Sequence, residues 1–293
     1  MTAPAIALPL AAGFVYVLAT LLIKRSVAAG AGSRHVNVAA NLAMWLLMQP
    51  LWLLGGESPA IWQPLACAAV FFAGQCLTFL ALSHGDVSVA TPLMGTKILF
   101  VSGLSVVLLG RQASWDWWAA VGLSTAAVIL VTAHPGRRKS QAVGFTAVCA
   151  ISSAFLFALA DLLIQHWCEP ETLNRFFALM FSGNAVLSAL WFLGEGPKGM
   201  LPPRRSLGWL AGAASLLAVQ VLFLAIALGI YNDATATNIL YSSRSLWSVI
   251  LAWTAGSWFA ARDAEAGVRV MIFRLAGALL LFVAILLIVF AHP

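Results

Sequence analysis

The chain has 293 residues, of which 62% are hydrophobic and only 9% charged, with a net charge of +6. A water-soluble domain carries about a quarter charged residues, so too little polar surface is present to coat a particle in water. Lipid must solvate most of the chain. The positive balance does not point to nucleic acid, because the basic residues lie scattered in short connections between apolar runs. That is where a membrane protein keeps its cytoplasmic anchors.

A bilayer core about 30 Å thick needs roughly 20 apolar residues per helix. On that scale the chain reads as ten spans, near 5–23, 36–54, 62–82, 87–109, 115–133, 143–165, 176–193, 207–229, 234–259 and 273–291. The first segment has no basic leader and runs straight into a full-length span, so no cleavable signal is expected. Gly55-Gly56, Gly110, His134-Pro135-Gly136 and the stretch 194–203 mark short connections. Asp86 and Asp233 stand where the fourth and ninth spans open and are expected to cap them. Pro92, lacking an N–H, is expected to kink the fourth span. The small residues Gly74, Gly122, Gly183, Gly212 and Gly277 would let helices approach closely.

Orientation follows from the basic residues. Lys24, Arg25, Arg34, Arg137, Arg138, Lys139, Lys198, Arg204, Arg205, Arg262, Arg269 and Arg274 fall after odd-numbered spans, and only Arg111 and Arg175 fall on the other side. The positive-inside rule then places the odd loops in the cytoplasm and both termini outside. Trp52, Trp62, Trp115, Trp117, Trp191, Trp209 and Trp258 lie near span ends and suit an interfacial belt.

The chain is also written twice. Asp86-Val-Ser-Val-Ala-Thr-Pro-Leu-Met-Gly-Thr-Lys97 aligns without gaps to Asp233-Ala-Thr-Ala-Thr-Asn-Ile-Leu-Tyr-Ser-Ser-Arg244. Tyr16-Val-Leu-Ala-Thr-Leu-Leu-Ile in the first span matches Phe157-Ala-Leu-Ala-Asp-Leu-Leu-Ile in the sixth. Leu51-Trp-Leu-Leu-Gly matches Leu190-Trp-Phe-Leu-Gly, and Ala-His-Pro closes both halves. Five spans per half is an odd number, so the second copy inserts upside-down. The expected fold is therefore an all-α integral membrane protein of ten transmembrane helices, arranged as two inverted five-helix repeats over 1–139 and 140–293. That is a recurring plan of secondary transporters, with the solute site near midplane between the repeats.

Ten spans in two five-helix repeats and the Gly-Asp-x-Ser-x-Ala-Thr-Pro opening of the fourth span (85–92) resemble the drug/metabolite transporter superfamily, in its EamA-like branch. The resemblance implies a cavity lined by the first, third, fourth, sixth, eighth and ninth spans. It leaves the substrate open among amino acids, drugs, nucleotide sugars and other metabolites.

Lys97, Asp161 and Arg244 are charges inside spans, each costing at least about 2.5–3.5 kcal/mol unless paired or wet. Lys97 and Arg244 each follow a span-opening Asp by eleven residues, about 16 Å of rise, which is close to midplane. Facing one another across a cavity, they would repel unless an anion came between them. We therefore expect a carboxylate- or phosphate-bearing metabolite clamped between the two, the forked Arg binding it bidentately. The competing arrangement has Asp161 neutralise one cation, although rise counting sets it about 9 Å from the Lys97 level. Asp161 could also carry a proton, and exchange against a counter-anion is as plausible.

Tyr241 and Trp247 share the Arg244 face of the ninth span, and Met94 shares the Lys97 face of the fourth. Gln75 and Gln220 recur at nearly matched positions, and Tyr16 adds a polar group to the first span. These complete the candidate substrate contacts. Asn41 and Asn184 read better as interhelical hydrogen bonds.

Cys67, Cys76, Cys149 and Cys168 lack metal-ligand spacing, and the five histidines lie at span ends or in loops. Neither His-Glu-x-x-His nor Gly-x-Ser-x-Gly occurs, so no metal, cofactor or enzymatic role is expected. A channel fits less well than alternating access, given an inverted repeat around a charged pair. Amino acids, drug-like compounds and a phosphate-headgroup lipid remain alternative cargoes. The expected setting is a bacterial inner membrane, with the protein a monomer or homodimer among lipid.

Overall fold

A computed structural model describes residues 2–83, 90, 93–112, 114–132, 143–194, 201–255 and 268–290. Asp86, Pro92, Arg137, Arg138, Lys139, Lys198 and Arg262 lie outside them, as do the 139/140 repeat boundary and most of the opening of the fourth span. The described residues are helical, without strands.

The first half contains α1 (Ala3–Ala28), α2 (Ser33–Met48), α3 (Trp62–Ser83), α4 (Lys97–Leu109) and α5 (Trp115–Thr132). The second contains α6 (Val143–Trp167), α7 (Leu173–Gly194), α8 (Arg204–Tyr231), α9 (Ala234–Tyr241), α10 (Arg244–Ala255) and α11 (Val268–Phe290). Six elements are long and apolar enough to cross a bilayer: α1, Ser33–Leu54, Trp62–Ala81, α6, α7 and α8. The second span changes character at Gln49-Pro50, where proline removes a ladder donor and the chain tightens into a 3-10 helix over Gln49–Leu54. The eighth span runs to 28 residues, longer than expected.

Two spans are broken, and the breaks are repeat-related. Ser242-Ser243 separate α9 from α10, and Gly95-Thr96 form a turn just before α4. Both pairs precede the basic residue of the aligned segment. In each, a hydroxyl bonds back to a carbonyl three residues earlier, Ser242 to Ile239 at 2.5 Å and Thr96 to Leu93 at 2.6 Å. Such bonds compete with the helical ladder. Hydropathy counting could not see this, because Ser and Thr barely interrupt an apolar run.

Packing follows the exchange expected of two related halves. The first span packs most extensively on the eighth, and the sixth on the third, which is the same contact with the halves swapped. The second and eighth spans pack together as do the seventh and third, while α5 packs with α11 and α2 with α7. The main core gathers Met44 and Met48 of α2, Ala158 and Leu162 of α6, and Phe176, Phe177 and Phe181 of α7. Apolar side chains such as Leu53, Val107, Leu190 and Phe290 remain exposed, as a surface solvated by lipid requires.

Connections assigned to one side of the bilayer do meet. Glu57 N–H donates to the Glu171 carbonyl at 2.8 Å, Asn174 bonds the Gly55 carbonyl at 3.3 Å, and Arg175 bonds Ser58. Gly56 (φ +107°) is needed there, because a Cβ would stand 2.7 Å from the Glu171 carbonyl oxygen. At the other end, Arg205 Nε donates to the Ala29 carbonyl at 2.9 Å.

Candidate functional site

Lys97 opens α4 immediately after its break. Its Nζ lies 2.7 Å from Asp161 Oδ2, with the side chains 20% and 13% exposed. Asn238 Nδ2 donates to the same oxygen at 2.7 Å, and the ring of Phe157 lies 5.9 Å from the ammonium. Rise counting sets the two residues about 9 Å apart in height, and their side chains nevertheless meet. The long lysine chain reaches across whatever height separates the two backbones.

Arg244 opens α10 in the same way but keeps different company. Its Nη1 donates to the Tyr241 hydroxyl at 3.2 Å, and the guanidinium lies 4.7 Å from the Tyr241 ring and 5.0 Å from the Tyr16 ring. The two rings meet edge-on at 6.0 Å. Among the described residues, no carboxylate lies within ion-pair distance of Arg244. The α9–α10 break seats on α1 at Gly13, where a Cβ would come within 3.0 Å of Ser243 Oγ and 3.1 Å of Arg244 N. In the same stretch of chain, Ser243 Oγ and Trp247 Nε1 are buried with no hydrogen-bond partner among the described residues, and Phe14 packs edge-on against Trp247 at 5.2 Å.

The two surroundings map onto each other. The alignment pairs Lys97 with Arg244, Phe157 with Tyr16, and Asp161 with Thr20. Each cation thus sits over the repeat-matched aromatic of the opposite half. The third match differs in charge: Thr20 is neutral, its hydroxyl tied to the Val17 carbonyl at 2.7 Å.

Other candidate residues lie elsewhere. Gln75 exchanges hydrogen bonds with Asn41 at 3.1 and 3.3 Å, and Asn41 also accepts from Asn184 at 2.5 Å. With Asn37 and Ser188, these groups form a buried polar seam among α2, α3 and α7. Met94 packs on Ala81, Ala90, Cys149 and Ala150. Gln220 is buried, with no hydrogen bond among the described residues. Tyr16, Tyr241 and Arg244 are brought together, as are Lys97 and Asp161, while Trp247 packs against Phe14.

At the end poor in basic residues, Arg111 Nη2 lies 2.6 Å from Asp233 Oδ2, joining the halves. Asp233 Oδ1 accepts from Ala236 N–H at 2.9 Å, the expected cap. Gln165 bridges the Asn232 carbonyl and the Ala234 N–H, each at 2.9 Å. With His166 and Tyr231, these residues line a cavity of about 540 Å³.

Reading the sequence missed Asn238, Phe157, Ser243 and the Arg111–Asp233 pair. Phe157 was within reach, since it is the repeat mate of Tyr16. The others depend on which helices touch.

Residues 3–133 match the EamA-like transporter family, a domain of the drug/metabolite transporter superfamily. The match spans the first of the two halves of the chain. Compared with the curated proteins by sequence, it matches none. Among solved structures, one crystal structure of a protein 17% identical shares the fold with TM-score 0.73, over 97% of this chain and 99% of the other.

Proposed function

Starting from a first half that is an EamA-like transporter domain, we propose that the chain moves a small organic anion across the membrane by alternating access, with the acid group seated on Arg244. The observation that carries this reading is the difference in charge balance between the two intramembrane cations. Lys97 is neutralised by Asp161, whereas Arg244 meets two tyrosines and no carboxylate among the described residues. An uncompensated guanidinium inside a bilayer is costly, and a bound anion relieves that cost while using the planar fork. The sequence-based clamp thus becomes a one-sided site, with Lys97, Asp161 and Asn238 as a self-balanced unit on the opposite wall. Exchange of one anion for another then requires no proton from Asp161.

The test is counterflow in proteoliposomes with panels of anions, cations and neutral solutes, in wild type and Arg244→Gln. Saturable, anion-selective exchange lost in Arg244→Gln supports the reading; wild-type rates in that variant refute it. Orientation has its own assay, in a background lacking the four native cysteines. Single cysteines at positions 2 and 293 should react with a membrane-impermeant reagent on intact cells, and one at 138 should be protected. The opposite pattern inverts the molecule.

A further inference from the structure

The two halves place a repeat-matched aromatic ring against each cation and differ at the residue aligned with Asp161. Phe157 and Asp161 stand against Lys97, and Tyr16 stands against Arg244; Thr20 is the residue that the alignment pairs with Asp161. In the first environment the protein itself shows what neutralises a cation there: one carboxylate, 2.7 Å from the nitrogen, steadied by one further donor from Asn238.

We propose that the Arg244 site takes a monocarboxylate, and that Asp161 is the built-in counterpart of that ligand in the other half. This rests on the proposed function above and narrows its substrate class. The charge balance argues for a single negative charge. Lys97 and Asp161 cancel, leaving Arg244 as the uncompensated charge among the described residues of this core, whereas a phosphate monoester dianion would be left with an excess charge in a low-dielectric site. The donors argue for a planar acid. The guanidinium has its fork, and Ser243 and Trp247, one residue before Arg244 and three after it, hold a buried hydroxyl and a buried indole N–H without partners among the described residues. Unpartnered buried donors are uncommon, and a bound acid would satisfy these two. The Tyr16 and Tyr241 rings bound the site, so the acid carries a body that tolerates aromatic faces.

The proposal makes an unusual forecast: the molecule can be made to inhibit itself. Thr20→Asp would install the missing carboxylate at the place where Asp161 serves Lys97. The purified full-length protein would be followed by thermal shift with propionate, inorganic phosphate or tetraethylammonium, and by counterflow. In wild type, propionate should raise Tm, and phosphate and tetraethylammonium should not. Thr20→Asp should raise Tm without ligand, abolish the propionate shift and cut counterflow at least tenfold. Thr20→Asn, the uncharged isostere, should keep both responses. Should Thr20→Asp fail to fold, Asp161→Ala supplies the converse: a destabilised protein whose Tm propionate restores by occupying the place at Lys97.

A phosphate shift exceeding that of propionate would overturn the monocarboxylate assignment. So would a folded Thr20→Asp protein with an undiminished propionate response, or an Asp161→Ala protein that propionate does not restore. Failure of the underlying reading has a different mark, because Arg244→Gln would then keep full transport whatever Thr20→Asp does.

Discussion

Lys97 and Arg244 occupy the same place in the two halves, yet one is settled and the other is not. Each opens a helix just after a break, and each lies over an aromatic ring of the opposite half. Only Lys97 has a carboxylate at 2.7 Å. Duplication carries over a backbone position and the face it presents, but a charge partner comes from a different helix and can drift on its own. The alignment sets Asp161 of the sixth span, which pairs with Lys97, against the neutral Thr20 of the first.

The largest separation should come from the same substitution at both positions. Arg244→Gln should lower uptake on the order of 100-fold, since losing a buried charge contact costs about 2–5 kcal/mol, while Tm changes little. Lys97→Gln should do the reverse, lowering Tm by stranding Asp161. Equal losses of transport with equal Tm would return the two cations to a shared clamp.

Next in size is the ion pair itself. Asp161→Ala should destabilise the protein by about 3–5 kcal/mol, the cost of leaving a buried charge alone. The double variant Lys97→Gln, Asp161→Asn should recover most of that in a thermal melt. A double variant as unstable as the sum of the singles would mean that the pair holds more than its own charges.

A smaller effect is expected at the tyrosines. Tyr241→Phe removes the hydroxyl that accepts from Arg244 but keeps the ring, so affinity should fall only several-fold, in line with about 1 kcal/mol for a hydrogen bond. Tyr16→Phe should be nearly silent in the same titration, because only its ring contacts the guanidinium. A larger loss at Tyr16 would mean that its hydroxyl touches the solute.

The smallest effect belongs to the pair that joins the halves at the opposite end. Asp233→Asn keeps a capping side chain but gives up the ion pair with Arg111. The pair lines the cavity of about 540 Å³, and Arg111 also lies 5.9 Å from the Trp117 ring, so solvent and that contact should hold the loss of stability to about 1 kcal/mol or less. Measured Tm at low and high salt should converge with that of the wild type. A loss beyond this would show the Arg111 contact to be as deeply committed as the one at Lys97.

Much of the architecture was legible along the chain because it is written in local terms. Span positions follow from runs of apolar residues, the two-fold plan from gapless self-similarity, and the Asp233 cap from a small acceptor before an apolar run. The kinship of Lys97 and Arg244 came from counting, each standing eleven residues past the aligned Asp. What the sequence left undecided is which side chains meet across helices. The Asp161 carboxylate reaches Lys97 and Asn238, Arg111 reaches Asp233, and Gln75 turns to Asn41 and not to a cation. Those choices depend on crossing angle, rotation about each helix axis and side-chain reach, none of which leaves a periodic trace in the sequence. The break at Ser242-Ser243 is intermediate, since serine is neutral in hydropathy and its effect emerges only when its hydroxyl takes a carbonyl from the ladder. Sequence alone therefore determined where the intramembrane charges lie, and tertiary packing decided that one of them is neutralised and the other is not.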